Sequence, residues 1–405
     1  MSFSVSDIVA QPRIERRFLF LIATMNFTNI VDFMVMMPLS AYLMRDFGVT
    51  TAQFGVLVSA YALAAAASSL LMTSIADRFD RRTALLVCYG GLIVGTLGCA
   101  LAPNYVTLLI ARVVAGFFGG VQGSITMAMV GDVIPDERRG RAMSLVMLAF
   151  SFSAVIGVPL SLYVAGYWSW RAPFIGLTIL CAALWLVAHR LLPSMRGHMT
   201  AGNPTGMWRS YLDVIANKNH LFAMLMSALL TLSGMIVIPY IAPTRIANVG
   251  MSEAELALFY IVGGFMTIFT RPLFGGMSDK YDRPTVYYWL VMLSSIPILM
   301  ITQPLGGGLA TQLAISVLFF IFVSGRFVPA TAMVTAATTP QMRGRLMSLN
   351  SAVQNLFLGV AAMLGGAMLT TLPDGRIVGY EAVGYIAVLF GIASIWAGYH
   401  VRRVS

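Results

Sequence analysis

Twelve long apolar runs dominate this chain, separated by short polar breaks. They fall at about 18–42, 52–74, 83–102, 105–130, 142–166 and 173–193, then at about 221–243, 254–276, 285–303, 310–336, 345–371 and 380–400. A helix needs about 20 apolar residues to cross the hydrocarbon of a bilayer. In hydrocarbon, every backbone N–H and C=O must be satisfied within the protein, so continuous runs of this length read as spanning helices. Membrane β-strands would be shorter and would alternate. Composition agrees: 58% of the residues are hydrophobic and 10% are charged, far from the roughly 25% charge of a soluble domain. The expected fold is an all-α polytopic membrane protein of twelve helices.

Six runs precede residue 194 and six follow residue 220. The chain therefore divides into an N-terminal six-helix bundle over 1–193, a linker over 194–220 and a C-terminal six-helix bundle over 221–405. Within the linker, Trp208, Leu212 and Ile215 share one helical face. That suits a helix lying in the membrane interface; an unstructured tether is the alternative. Little length remains for a soluble domain, and no phosphate-loop motif is present.

The net charge of +10 has an explanation that does not involve nucleic acid. Membrane proteins concentrate Lys and Arg in cytoplasmic loops. With the N-terminus placed in the cytoplasm, twenty of the 26 Lys and Arg fall in inner segments, four in outer ones, and Arg112 and Arg326 within spans. Both termini are therefore expected to be cytoplasmic, in a cell (inner or plasma) membrane. No cleaved secretory signal is recognised at the start. Cys88, Cys99 and Cys181 lie in apolar runs without metal-ligand spacing and read as small buried hydrophobes. No metal or cofactor is expected, and the chain is expected to be a monomer.

The two halves repeat. Ser74–Arg82 reads SIADRFDRR, and Gly276–Pro284 reads GMSDKYDRP, with Asp77 and Asp279 offset by 202 residues. RGRAMSL from Arg139 and RGRLMSL from Arg343 agree at an offset of 204. Transporters built from two such units place their substrate near midplane between the halves.

These residues resemble the major facilitator superfamily. The family's loop after its second span runs G-x-x-x-D-[RK]-x-G-R-[RK]; Asp77, Arg78, Arg81 and Arg82 match it, while Ser74 and Asp80 replace its glycines. The second copy matches at Gly276, Asp279, Lys280 and Arg283, with Asp282 again in place of glycine. Arg112 and Gly116 fit the R-x-x-x-G pattern of the fourth span. Gly157-Val158-Pro159 is similar to a degenerate form of the antiporter motif, and Trp168, Trp170, Arg171 and Phe174 to the segment before span 6 of proton-coupled exporters. The resemblance implies a conformational latch. The aspartates cap helices across the halves, and the loop arginine meets an acidic residue at the end of span 4, where Asp132 stands. Such contacts hold the outward-open state and break on inward opening. A solvated loop that only sets topology is the alternative.

Charges within spans are costly and are functional candidates by default. Asp32 and Arg112 are both expected in the middle-to-outer part of the bilayer, at about 21 Å and 10 Å along their helices, so they can meet. Asp32 has no counterpart in the repeat, where Gly234 stands at the same offset. Burial disfavours a charged carboxyl and a nearby guanidinium favours it. Asp32 thus reads as a proton carrier tuned by Arg112, with a permanent structural ion pair as the alternative. Gly116, Gly119, Gly123 and Thr126 share the face of Arg112, as close helix packing or as a smooth cavity wall. Asn26, Asn29, Tyr61, Gln122, Tyr240, Arg326, Gln354 and Asn355 are the candidate cavity groups. Arg326 would receive an anionic substrate or lock a carbonyl network.

Among 27 methionines, Met25, Met34, Met36 and Met37 surround Asp32. They suit an adaptable apolar pocket or ordinary packing. The function expected is secondary active transport, with proton-coupled export of small amphipathic or drug-like molecules. A sugar or metabolite exporter is the alternative, and a non-transporting sensor is a further one. No H-E-x-x-H or G-x-S-x-G motif supports an enzyme.

Overall fold

The computed structural model describes residues 8, 11–76, 79–196 and 207–404. Among these residues, twelve helices are long and apolar enough to cross a membrane. The N-terminal half contains α1 (Pro12–Val35), α2 (Ser40–Phe47), α3 (Thr51–Ala76), α4 (Arg81–Leu101), α5 (Tyr105–Val133), α6 (Asp136–Phe152), α7 (Val158–Tyr167) and α8 (Ala172–Leu191). Helix α9 (Met207–Ala216) lies in the linker. The C-terminal half contains α10 (Lys218–Met235), α11 (Ile241–Val249), α12 (Glu253–Lys280), α13 (Arg283–Thr302), α14 (Leu309–Gly325), α15 (Phe327–Ala336), α16 (Pro340–Met368) and α17 (Tyr380–Tyr399). The outward faces carry apolar side chains such as Val94, Ile110, Trp289 and Trp396, all more than half exposed, as lipid contact requires.

Several of the expected runs are broken where the sequence reading drew one continuous helix. Span 1 is α1 and α2 with a turn at Pro38. Span 7 is α10 and α11 with a 3-10 turn Ile238–Tyr240 at Pro239. Proline lacks an N–H and crowds the preceding turn. The two breaks stand at matching places in the repeat. Each broken span ends in a left-handed glycine, Gly48 at φ 62 and Gly250 at φ 75, a backbone that a Cβ would strain. In span 5, a π-turn over Ser153–Gly157 separates α6 from α7, and the Val158 N–H reaches back to Ser153 O. Pro159, which has no N–H to give, follows directly.

Asp80 and Asp282, the aspartates in the glycine positions of the loop motif, have a local role. The Asp80 side chain accepts from the Arg82 N–H at the start of α4, and Asp282 accepts from the Thr285 N–H at the start of α13. Each caps a helix N-terminus. Asp80 also accepts from the Met195 N–H at 2.6 Å, tying the start of the linker to this loop. Residues 197–206 of the linker lie outside the described residues. Val214 of α9 is buried, while Leu212 and Ile215 stay exposed, so α9 docks by one face and leaves an apolar edge outward.

The halves meet chiefly at the end opposite the termini. There α3 of the N-terminal half lies against α16 of the C-terminal half. Gly55, Gly359 and Gly366 stand at the contact, where an added Cβ would collide with the facing helix or with Tyr240. Small residues let membrane helices approach and expose carbonyls to donors. Here Thr51 Oγ1 donates to Leu369 O at 2.8 Å and Ser59 Oγ to Gly359 O at 2.6 Å. One buried apolar cluster at this end draws on both halves, from Val35, Leu57 and Trp170 to Ile236, Phe259 and Ala362. Toward the termini, the buried clusters belong to one half each. The halves are thus sealed at the far end and hold separate cores at the near end.

Candidate functional site

Four helices of the N-terminal half converge on Asp32. Asp32 is 1% exposed and Arg112 is 0% exposed. The Arg112 Nη1 stands 3.3 Å from Asp32 Oδ2 and donates to the Asp32 carbonyl at 3.1 Å. Thr96 Oγ1, from α4, donates to the other carboxylate oxygen at 2.9 Å. The guanidinium carbon lies 4.4 Å from the centre of the Tyr61 ring of α3, within cation–π range. Tyr61 in turn donates to Asn29 Oδ1 at 3.0 Å, and Asn29 Nδ2 donates to Gly119 O at 3.1 Å.

The glycines of α5 make this approach possible. A Cβ on Gly116 would overlap the Tyr61 backbone, one on Gly119 the Tyr61 hydroxyl and Asn29, and one on Gly120 the Ala65 backbone. Close packing accounts for these positions. Gly123 differs, with open space around it. The arginine nevertheless remains under-satisfied, because its Nε and Nη2 have no hydrogen-bond partner. A buried charge is tolerable only when paired and hydrogen-bonded. This pair is partly so, and the Thr96 hydroxyl that meets Asp32 has a second acceptor, Leu92 O, also at 2.9 Å.

The other candidate cavity groups are scattered. Asn26 Nδ2 donates to Val146 O at 3.4 Å and Gln122 Nε2 to Met25 O at 2.9 Å, so both satisfy backbone carbonyls beside the Asp32 site. Tyr240 is fully buried in the far-end seal and donates to Ala362 O at 2.5 Å. Gln354 and Asn355 are half-buried on α16. Arg326 is fully buried within the C-terminal half, where Nη1 donates to Ser233 and Ser294. Met25, Met36 and Met37 are buried in packing, and Met34 is half-buried.

At the termini end, Asp77 and Arg78 lie outside the described residues. Arg81 Nε pairs with Asp132 Oδ2 at 3.2 Å, joining the start of α4 to the end of α5. In the second copy, Asp279 and Arg283 stand 3.9 Å apart, Lys280 lies over the Tyr281 ring at 5.6 Å, and Gly276 has open space around it. No group of three or more His, Cys, Asp or Glu suited to a metal ion occurs among the described residues.

Comparison with known proteins bears on the whole chain. The sequence profile of the Major Facilitator Superfamily fits residues 20–233 and again 223–405. The chain belongs to this superfamily. Its relatives include the uncharacterized MFS-type transporter YtbD of Bacillus subtilis (strain 168), 26% identical over 339 residues and covering 81% of each chain. YwfA, an uncharacterized MFS-type transporter of the same organism, is 25% identical over 377 residues, covering 90% of this chain and 88% of the relative. Among solved structures, a bacterial homolog of the human lysosomal transporter Spinster superposes with a TM-score of 0.75 at 17% identity, covering 98% of this chain and 99% of that one. The D-xylose–proton symporter superposes with a TM-score of 0.75 at 14% identity, covering 93% and 96%. These superpositions establish the twelve-helix fold. The protein is a multi-pass membrane transporter of this superfamily.

Sequence reasoning missed three kinds of residue. Thr96 looked like any hydroxyl in an apolar run. Ser233 and Ser294 are equally silent. Pro38 and Pro239 did carry a signal, since interrupted spans at matching repeat positions mark substrate regions in transporters.

Proposed function

We propose that this transporter exports small amphipathic molecules in exchange for protons, with Asp32 as the proton carrier and Arg112 as its tuning partner. The observation that carries the reading is the Asp32 site itself. It holds a fully buried carboxylate between Arg112 and Thr96 in one half only, with Gly234 at the equivalent place in the other. A proton arriving at Asp32 releases Arg112 from its partner, so loading is coupled to a rearrangement of α1 against α5. The Lys and Arg distribution supports cytoplasmic termini. In that orientation the sealed far end faces outward, and the separate cores face the cytoplasm, as an inward-facing state requires. The Arg81–Asp132 pair lies within the N-terminal half and stays formed in this state, so it braces the loop, and the part of the latch that breaks on inward opening falls to contacts across the halves, from Asp77 and Arg78 and from the copy at Gly276, Asp279, Lys280 and Arg283. Asn26, Asn29, Tyr61 and Gln122 border the proton site, Gln354 and Asn355 belong to the opposite wall, and Tyr240 serves the far-end seal instead.

The driving force is adequate. One charge moved through 100 mV is worth about 2.3 kcal/mol, and about 1.4 kcal/mol is tenfold, so one proton per cargo molecule sustains roughly a fifty-fold gradient. The test is transport in proteoliposomes with an imposed pH gradient, using panels of amphipathic compounds and of sugars. Wild type should move an amphipathic compound uphill, and Asp32→Asn should lose uphill movement. Uphill export retained by Asp32→Asn would remove the proton-carrier role. Transport of sugars alone would replace the cargo assignment.

A further inference from the structure

Arg271 is a further arginine at membrane depth. The charge count groups it with the inner segments, but α12 runs on past it for nine residues to Lys280, so its Cα lies about 14 Å from the helix end. A charge at that depth is costly and marks a functional position. Among the described residues, no Asp or Glu forms an ion pair with Arg271. A guanidinium keeps its charge in a folded protein, so this one stands in the span without a counter-charge.

Arg271 reaches across to the other half. Its Nη1 donates to Ser151 Oγ of α6 at 3.1 Å, and its guanidinium carbon lies 4.8 Å from the centre of the Phe150 ring, within cation–π range. Gly264, about two turns earlier on the same face of α12, lets the helices approach, since a Cβ there would lie 3.1 Å from Ala154 O. Phe265, Phe269 and Leu273 are exposed on the opposite, lipid-facing side. Nε is buried without a partner. Nη2 makes no hydrogen bond to a described residue and is not enclosed.

The space beside it is an opening toward the termini. Span 5 is exposed on two faces. Leu145, Leu148, Phe152, Ile156 and Leu160 follow at helical spacing along its length, as a lipid stripe does. Met147 and Phe150, 58% and 39% exposed, stand on another face. Past the π-turn, Val158, Ser161, Leu162 and Ala165 are all buried, so exposure off the lipid stripe ends there. The opening is therefore closed at the far end, with Arg271 on its C-terminal-half side and Met147 and Phe150 on the other.

We propose that Arg271 Nη2 receives the carboxylate of an acidic amphipathic cargo whose apolar body lies along Met147 and Phe150. Ser151 holds Nη1 and so fixes the guanidinium while Nη2 stays free. The cargo supplies the negative charge that the spans around Arg271 lack, and a charge-assisted hydrogen bond is stronger than a neutral one. This rests on the reading of the chain as an exporter of amphipathic molecules and narrows it to acidic ones.

The test is equilibrium binding of naphthylacetate, naphthylacetamide and naphthylethylamine to the purified full-length protein in detergent, followed by counterflow in proteoliposomes without a pH gradient. Naphthylacetate should bind most tightly and exchange fastest. Arg271→Gln should raise its Kd about tenfold or more, as expected for a lost hydrogen bond to a charged group, and leave the Kd of naphthylacetamide unchanged. Arg271→Lys should retain part of the preference, and Ser151→Ala should weaken naphthylacetate alone; these two decide if Arg271→Gln does not fold. An amide or amine bound as tightly as the acid overturns the proposal. So does an equal loss of acid and amide in Arg271→Gln, which a brace between the halves would give, and so does binding of none of the three. Counterflow omits the proton step, so these outcomes are separate from the Asp32→Asn result that tests the exporter reading.

Discussion

The Asp32–Arg112 pair makes a prediction that separates electrostatics from mere packing. Two unit charges 3.3 Å apart attract by about 5 kcal/mol at an effective dielectric near 20. Removing one member of a buried pair costs about 3–5 kcal/mol, because the other is left buried and alone. The two single variants should differ. Arg112→Met leaves a carboxylate that can take up a proton and become neutral, whereas Asp32→Asn leaves a guanidinium that cannot lose its charge. Asp32→Asn should therefore be the more destabilised. The double variant removes both charges and should be at least as stable as Asp32→Asn alone, with a coupling energy of about 1–3 kcal/mol. The assay is a thermal unfolding cycle in detergent, followed by thiol labelling of Cys99 and Cys181, which are buried in the fold. Losses that simply add, or an Arg112→Met loss larger than that of Asp32→Asn, would refute the argument.

Three further outcomes follow from the packing. Ser59→Ala removes a bond across the far-end seal; at about 1 kcal/mol it should shift the balance toward far-end opening roughly fivefold, read as faster labelling of a cysteine introduced at the seal. Gly116→Ala drives a Cβ into the Tyr61 backbone while Gly123→Ala meets open space, so the first should cost about 1–3 kcal/mol and the second should leave the unfolding temperature of the purified protein nearly unchanged. Asp80→Ala removes the cap of α4 and the tether to Met195; a loss of about 1 kcal/mol is expected from the cap alone, with faster proteolysis in the linker as the readout.

Much of this was legible in the residues. The apolar runs located all twelve spans, because runs this long and continuous satisfy their backbone in hydrocarbon as helices, whereas barrel strands are shorter and alternate. The charge positions singled out Asp32 and Arg112, and helix length alone placed them near enough to meet. The breaks were harder to read. Pro38 and Pro239 lie inside runs whose hydropathy does not falter, and a hydropathy reading joins what the backbone interrupts. The candidate cavity suffered most. Amides and hydroxyls in spans look alike in sequence, whether they line a cavity or satisfy a neighbouring carbonyl. Asn26 and Gln122 turn out to bond to Val146 O and Met25 O, which depends on how α1 leans against α5 and α6.

Length, apolar continuity and the repeat were enough by themselves to determine twelve helices in two related bundles, because the bilayer admits few alternatives for a chain of this pattern. Which groups touch was decided by the tertiary structure. The glycines of α5 bring Arg112 against Tyr61 and Asp32; those of α3 and α16 close the far end. The difference between Arg112, which has its carboxylate, and Arg326, which has only hydroxyls, comes from where each lies along its helix and what the neighbouring spans present at that depth. Charge balance inside a membrane is a property of that three-dimensional neighbourhood, and no spacing along the chain encodes it.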